Sequence, residues 1–239
     1  MSPALGIIIP TLQEARWLPG CLDSLADSDI PVLVVDGGSD DQTAEIATRH
    51  PRRPSVAIVT GGRHAQLNTA FNRLNAEWIL ILPADARLLP GAVTRIVRRC
   101  ATVSCATACL RLYPDDRGWY HQVRAAWSGI RCRLTGGAYM DQAPLFRRRE
   151  AVLAGGFRDC GPYDTADLGQ RLGRHGSIIV LQEPVVVSCR EYRRLGILGT
   201  TSHHQRLRWQ WLQAQGTLDS RRIITEVDSI ISTTRASAD

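Results

Sequence analysis

The 239-residue chain has no lysine, so all 29 of its Lys/Arg positions are arginine. That absence excludes Schiff-base lysine chemistry and the lysine-dependent phosphate loops of Walker type. There is no C-x-x-C pair, and the seven cysteines, Cys21, Cys100, Cys105, Cys109, Cys132, Cys160 and Cys189, are odd in number, a poor disulfide framework. They read as reduced, mostly buried thiols. Cys105 and Cys109 lie four apart in an alternating stretch, which predicts one strand face and favours core packing over a metal pair. No apolar stretch is long enough to cross a bilayer, and no basic segment precedes a long apolar one at the N-terminus, so a cytoplasmic location is expected. Zinc-finger spacing, RNP aromatics and a basic zipper are also missing. The scattered arginines give a formal charge of +6 and a pI near 9.2, which favours a small phosphorylated ligand over nucleic acid.

What is present is an alternation of apolar runs and helical segments. Strand-like runs occur at Leu5 to Ile9, Val32 to Val35, Val56 to Val59 and Trp78 to Leu82, with helical spacing at Glu14 to Ala26, Asp41 to Arg49, Gln66 to Asn75 and Pro90 to Arg99. This order predicts an α/β fold with a parallel sheet and right-handed crossovers. Thr102 to Tyr113 alternates over a longer stretch and predicts an antiparallel strand with one polar face, so the sheet turns mixed there. Further elements are expected as a helix over Trp119 to Arg133, a strand over Ala143 to Phe146, a helix over Asp164 to Arg174 and a strand over Ile178 to Leu181. A helix from Glu191 to about Gln215 and a polar tail to Asp239 complete the chain. One domain over 1–215 is expected, in two halves at 1–100 and 101–215, with a tail at 216–239.

In open parallel sheets the ligand lies beyond the carboxyl ends of the strands. Three acidic loops fall there: Pro10-Thr11-Leu12-Gln13-Glu14, Asp36-Gly37-Gly38-Ser39-Asp40-Asp41 and Pro83-Ala84-Asp85. An acid at a strand end can accept from a base or ribose, glycines allow close backbone approach, and a helix N-terminus attracts phosphate. The plain alternative for Asp36 to Asp41 is a turn with an N-cap, which leaves the other two loops unexplained.

Ile8-Ile9-Pro10-Thr11 with Glu14, then Val34-Val35-Asp36-Gly37-Gly38-Ser39, resembles the opening of family 2 glycosyltransferases of the GT-A fold. Leu82-Pro83-Ala84-Asp85 falls where that family carries its D-x-D loop. Phe146-Arg147-Arg148-Arg149-Glu150 with Gly155-Gly156-Phe157, and Gln205-x-x-Arg208-Trp209, continue the resemblance in order. Arg133-Leu134-Thr135-Gly136 with Tyr139, Asp141 and Gln142 further resembles a compact subgroup associated with arsenosugar biosynthesis.

The resemblance implies a GT-A fold with a mixed central sheet flanked by helices, and transfer of a sugar from a UDP-sugar to a small-molecule acceptor by an inverting single displacement. It implies that Pro10, Thr11, Glu14, Asp36, Gly38, Ser39, Arg63 and Ala84 surround the nucleotide. Asp85 would face a Mn or Mg ion on the diphosphate, and Gln142, Gln205, Arg208 and Trp209 would contact the acceptor. Two positions depart from the family pattern. Pro83 replaces the first Asp of D-x-D, which leaves one carboxylate plus phosphates for the metal, or arginines without metal. Thr165 stands where the catalytic Asp is expected, so Asp164 and Asp141 are the candidate bases, Asp164 with a helix-capping role as its equal alternative. An already ionised nucleophile needs no base. His203 and His204 are expected to be solvated and Trp211 to pack. A nucleotide-sugar-binding protein with decayed catalysis is the main alternative, and a nucleotidyltransferase a weaker one. The Trp-rich C-terminal helix leaves a homodimer or a peripheral membrane contact open.

Overall fold

The computed structural model describes residues 3–173 and 178–214. Arg174, Gln215 and the expected tail at 216–239 lie outside the described residues. The strands are β1 (Leu5–Thr11), β2 (Val32–Asp36), β3 (Ser55–Ile58), β4 (Trp78–Ile81), β5 (Ala86–Leu88), β6 (Thr107–Pro114), β7 (Leu145–Arg147) and β8 (Ile179–Val187). The helices are α1 (Leu18–Asp23), α2 (Thr43–Arg49), α3 (Arg63–Arg73), α4 (Ala92–Cys100), α5 (Trp119–Thr135), α6 (Arg148–Leu153), α7 (Asp164–Gly173) and α8 (Arg190–Ala214).

All eight strands join one sheet in the order β3-β2-β1-β4-β7-β6-β8-β5. Strands β3, β2, β1 and β4 are parallel, with Thr11 opposite Asp36. They are the predicted apolar runs, and β1, β2 and β4 are buried along their whole length, as strands covered on both faces must be. Strand β7 runs antiparallel to both β4 and β6, β6 is parallel to β8, and β5 is antiparallel to β8. The carboxyl ends of β1, β2, β4, β6 and β8 therefore share one edge of the sheet. Two packed layers cover the faces: Leu5, Ile7 and Ile9 meet Leu18, Leu22 and Ile96 on one side, and Ile8, Val35, Phe71, Phe146 and Phe157 meet on the other.

Several expectations change. The antiparallel pairing of the sixth strand holds against β7, but the strand starts at Thr107 and is buried on both faces except around Arg111 and Tyr113. Cys105 packs in the first core layer and Cys109 in the second, so the two do not share a face; all seven cysteines are buried and free. Helix α1 starts at Leu18 instead of Glu14 because residues 12–15 form a loop with Gln13 at φ +58° and Pro19 opens the helix. Helix α3 begins earlier than expected, at Arg63, after Gly61 and Gly62 with φ of +102° and +92°. Strand β8 extends to Val187 through Pro184, beside an irregular register at Cys109/Arg111. Strand β5 and helix α6 are too short to give a periodic signal. Helix α8 breaks at Gly196, whose φ of +72° and ψ of 169° are non-helical.

Gly169 of α7 lies against the Gly136 to Ala138 segment, where an added Cβ would meet the Ala138 backbone nitrogen at 2.6 Å. Gly129 of α5 has nothing within 4 Å of that position. Gly169→Ala is expected to destabilise the fold by about 1–3 kcal/mol, and Gly129→Ala to stabilise it by roughly 0.5–1 kcal/mol through helix propensity. Chemical denaturation of the two variants checks both signs.

Candidate functional site

The loop after β2 folds around a single carboxylate. Asp36, 1% exposed, accepts the Thr11 hydroxyl at 3.0 Å, the Gly38 and Ser39 amides at 3.1 and 2.7 Å and the Ser39 hydroxyl at 2.6 Å. Gln66 of α3 donates to the Thr11 and Val35 carbonyls, both at 2.9 Å, tying the two strand ends together. The loop after β1 is pinned to the one after β2: Ser39 Oγ accepts the Gln13 amide, Thr43 Oγ1 the Glu14 amide and Asp41 the Ala15 amide. Burial acts to raise the Asp41 carboxyl, but hydrogen bonds from Thr43 and the Ala15 amide hold it below its ordinary value.

This pinning sets Glu14 toward Asp85, which follows β4. Between them stands Arg190, the first residue of α8 and just past the end of β8. Its guanidinium donates to both Glu14 oxygens, at 2.7 and 2.5 Å, and pairs with Asp85 Oδ2 at 2.9 Å. Burial pushes the Asp85 carboxyl up, Arg190 opposes this and the Glu14 charge adds to it, so Asp85 sits above the ordinary carboxylate range. Pro10 and Ala84 are buried beside these loops in the strand end and turn.

Beyond Asp85 opens a cavity of about 550 Å³. Its walls include Arg63, Pro83, Asp85 and Arg190, together with Tyr120, Arg124, Arg131, Asp141, Tyr192 and Arg208. Arg131 and Arg124 lie 3.1 and 3.8 Å from Asp141. Burial acts to raise Asp141, yet Arg131, Arg124 and His204 together hold it below the usual range. Arg63 forks onto Asp164, 1% exposed, at 2.8 and 2.6 Å, and Asp164 also accepts the Thr165 amide at 2.7 Å. Thr165 is fully buried, and its hydroxyl has no hydrogen-bond partner.

The cleft thus gathers Asp85, Arg63, Asp141, Gln205 and Arg208, and Glu14 reaches it through Arg190. Thr11, Asp36, Gly38 and Ser39 form the adjoining shelf outside the cavity wall. Gln142 does not reach the cleft: it is fully buried, accepts from the Cys132 thiol at 2.7 Å and borders a separate cavity of about 180 Å³. Trp209 is 61% exposed and absent from the cavity wall, whereas Trp211 stacks on Tyr163 at 4.9 Å inside the core. His204 is not merely solvated, since it pairs with Glu191 at 3.1 Å in the wall. Sequence reasoning missed Arg190, Arg124 and Arg131. The signal for Arg190 was its place one turn past an apolar run.

A divalent ion would find hard oxygen donors here, but few. Asp85 keeps one carboxylate oxygen clear of Arg190, Pro83 has none to give, and no group of three potential ligands occurs among the described residues. This fits an ion held by one carboxylate and the phosphates of a ligand.

The sequence profile of glycosyl transferase family 2 matches residues 6–158. The chain belongs to glycosyltransferase family 2. Among its relatives, a PGL/p-HBAD biosynthesis glycosyltransferase of Mycobacterium bovis (strain BCG / Pasteur 1173P2) is 35% identical over 95 residues, 36% of this chain and 37% of that protein. An undecaprenyl-phosphate 4-deoxy-4-formamido-L-arabinose transferase of Photorhabdus laumondii is 30% identical over 106 residues, 39% of this chain and 33% of that one. The matches therefore span little more than a third of those relatives' length. In solved structures, this family 2 chain is similar to S. aureus TarS 1-349 in complex with UDP-GlcNAc, with TM-score 0.63, 16% identity, and coverage of 79% of this chain and 58% of that one. It is also similar to the mannosyltransferase PcManGT from Pyrobaculum calidifontis in complex with GDP-Man and Mn2+, with TM-score 0.62, 20% identity, and coverage of 99% and 76%. The fold is GT-A-like.

Arg63→Gln leaves the Asp164 carboxylate buried without its fork and is expected to cost about 3–5 kcal/mol, most of it recovered in Arg63→Gln/Asp164→Asn. Urea unfolding of the single and double variants checks the coupling. Because Asp141 titrates lower folded than unfolded, its stabilising contribution is full above the ordinary carboxylate value near 3.9 and is lost as pH falls through the lower, folded value. The stability gap between the parent protein and Asp141→Asn is expected to shrink below about pH 4 in acid titrations followed by circular dichroism.

Proposed function

We propose that the protein transfers a sugar from a UDP-linked donor to an acceptor, with inversion at the anomeric carbon. The observation that supports this most is the joining of Glu14 and Asp85, from loops after β1 and β4, by Arg190 from the end of β8, beside the Asp36 shelf. Three strand ends carry these charges to the mouth of one cavity, which is what a nucleotide diphosphate needs at the edge of a parallel sheet. In this reading residues 1–100 supply most of the donor side, and Asp141, Gln205 and Arg208 from the later half face the acceptor.

Thr11, Asp36 and the Gly38–Ser39 turn that Asp36 braces would border the uridine, and Arg63 and Arg190 would balance the diphosphate. A Mn or Mg ion, held by Asp85 and the donor phosphates, would supply neutralising charge on the leaving group. An acceptor hydroxyl attacks the anomeric carbon from the face opposite the diphosphate. The new carbon–oxygen bond forms as the bond to the β-phosphate oxygen breaks, and the electron pair leaves with UDP. Asp141 lines the cavity and takes the hydroxyl proton in this scheme. Asp164, whose two oxygens are held by Arg63, positions that arginine. One observation favours a second reading, a nucleotide-sugar-binding protein with decayed catalysis: Pro83 and Thr165 both remove carboxylates from the cleft.

Calorimetry with UDP and GDP, with and without Mn2+, paired with donor-turnover assays, tests the proposal. UDP is expected to bind, and Asp36→Asn and Asp85→Ala each to lower kcat/KM by about tenfold or more. The product's anomeric configuration, read by NMR, is expected to be inverted. Binding without turnover across acceptors establishes the second reading, and failure to bind any nucleotide removes both.

A further inference from the structure

Two clusters of charged side chains meet in the cleft, one richer in carboxylates and the other richer in guanidiniums. At the donor end, two carboxylates, Glu14 and Asp85, share one guanidinium. At the far end three guanidiniums, those of Arg124, Arg131 and Arg208, line the wall, and Asp141 is the carboxylate among them. Glu191, paired with His204 at 3.1 Å, is a second carboxylate in the same wall, so three guanidiniums there face two carboxylates.

These arginines are half-enclosed and incompletely paired. The side chains of Arg124 and Arg131 are 18% and 20% exposed. Arg124 Nε and Nη2, Arg131 Nε and Arg208 Nε are buried without an acceptor. Aromatic faces fix the first two, with Arg124 4.9 Å from the Tyr192 ring centre and Arg131 3.7 Å from that of Tyr139. Such stacking restrains a guanidinium without neutralising it. Enclosing three cations whose buried N–H groups lack acceptors, with two carboxylates for company, is unfavourable unless a further anion joins them.

We infer that this end of the cleft is an oxyanion subsite, and that the acceptor carries a phosphomonoester or similar dianionic group seated on Arg124, Arg131 and Arg208. The group serves as the handle that orients the acceptor toward the donor end, where bidentate guanidinium contacts give both affinity and direction. The assignment of this ligand as the acceptor rests on the transferase reading; the anion site does not. Beside it, α5 exposes Trp119, Val123, Trp127, Ile130 and Leu134. A phosphate here could thus come from a soluble metabolite or from a lipid headgroup lying along that ridge.

The test titrates the full chain, saturated with UDP, with phenyl phosphate and with phenol. Phenyl phosphate is expected to bind and phenol to bind at least about tenfold more weakly. Arg131→Gln and Arg208→Gln are each expected to weaken phenyl phosphate by about tenfold while UDP affinity stays unchanged. Asp141→Asn, which removes the competing carboxylate, is expected to tighten it, a gain that a damaged fold would not produce. Equal binding of phenol, or unaltered phosphate binding in both arginine variants, overturns the subsite. If UDP fails to bind, the transferase reading fails, and the same titrations without UDP still decide the anion site. Sedimentation with phosphatidylcholine vesicles, with and without phosphatidic acid, separates the sources. Retention only by phosphatidic acid vesicles, reversed by phenyl phosphate, identifies a lipid headgroup; binding of phenyl phosphate alone identifies a soluble ester.

Discussion

Arg190 is the residue on which the arrangement of the cleft depends. Glu14 and Asp85 come from loops separated by most of the first half of the chain, and both are largely enclosed. Without a cation between them their repulsion would oppose the arrangement, and burial with the Glu14 charge pushes the Asp85 carboxyl up even though Arg190 opposes them. The topology delivers that cation. Because β8 runs in the same direction as β1 and β4, its carboxyl end returns the chain to the same edge, and the Ser188 amide hydrogen-bonds the Asp85 carbonyl at 3.3 Å. The late strand therefore completes a site whose acids come early.

Much of the strand-end shelf could be read from the letters. Strands buried on both faces appear as unbroken apolar runs, and in a parallel sheet the next residues lie at the carboxyl edge, which put Thr11, Asp36 and Asp85 there from the sequence. The far wall of the cavity resisted the same reading. Arg124 and Arg131 sit on α5 seven residues apart, and the exposed apolar ridge of that helix hides which face meets the sheet. Gln142 is expected at the acceptor from the family resemblance, but a three-residue helical turn directs it to Cys132 and the core. Trp209 kept the family's motif yet faces outward, since the break at Gly196 resets which side of α8 packs, and Trp211 takes the core position against Tyr163. Such rotations are set by tertiary packing, which periodicity does not report.

The polarity of the cavity also bears on the missing second acid of the D-x-D loop. An additional carboxylate at position 83 would stand beside Glu14 and Asp85, already short of positive charge. Proline there lowers the demand for a cation and leaves Arg190 able to meet much of it. The guanidiniums of Arg124, Arg131 and Arg208 line the same cavity wall, where they suit the anion of the proposed acceptor subsite.

The same logic explains why Thr165 is tolerated. Asp164 precedes it and is nearly inaccessible, with both oxygens on Arg63 and a further bond from the Thr165 amide. A second carboxylate at 165 would be buried beside this pair, and Arg63, the guanidinium that reaches this point, is already forked onto Asp164. Such a charge would shift its titration upward or open the helix start, and either result would disturb Arg63 at the cleft. Threonine fills the volume at the expense of one unpaired hydroxyl, a smaller penalty than a buried unpaired charge. On the proposed reading, Thr165 leaves the start of α7 without a free carboxylate, and the proton-accepting role falls to Asp141 in the cavity wall or is not needed by an acceptor that arrives already ionised.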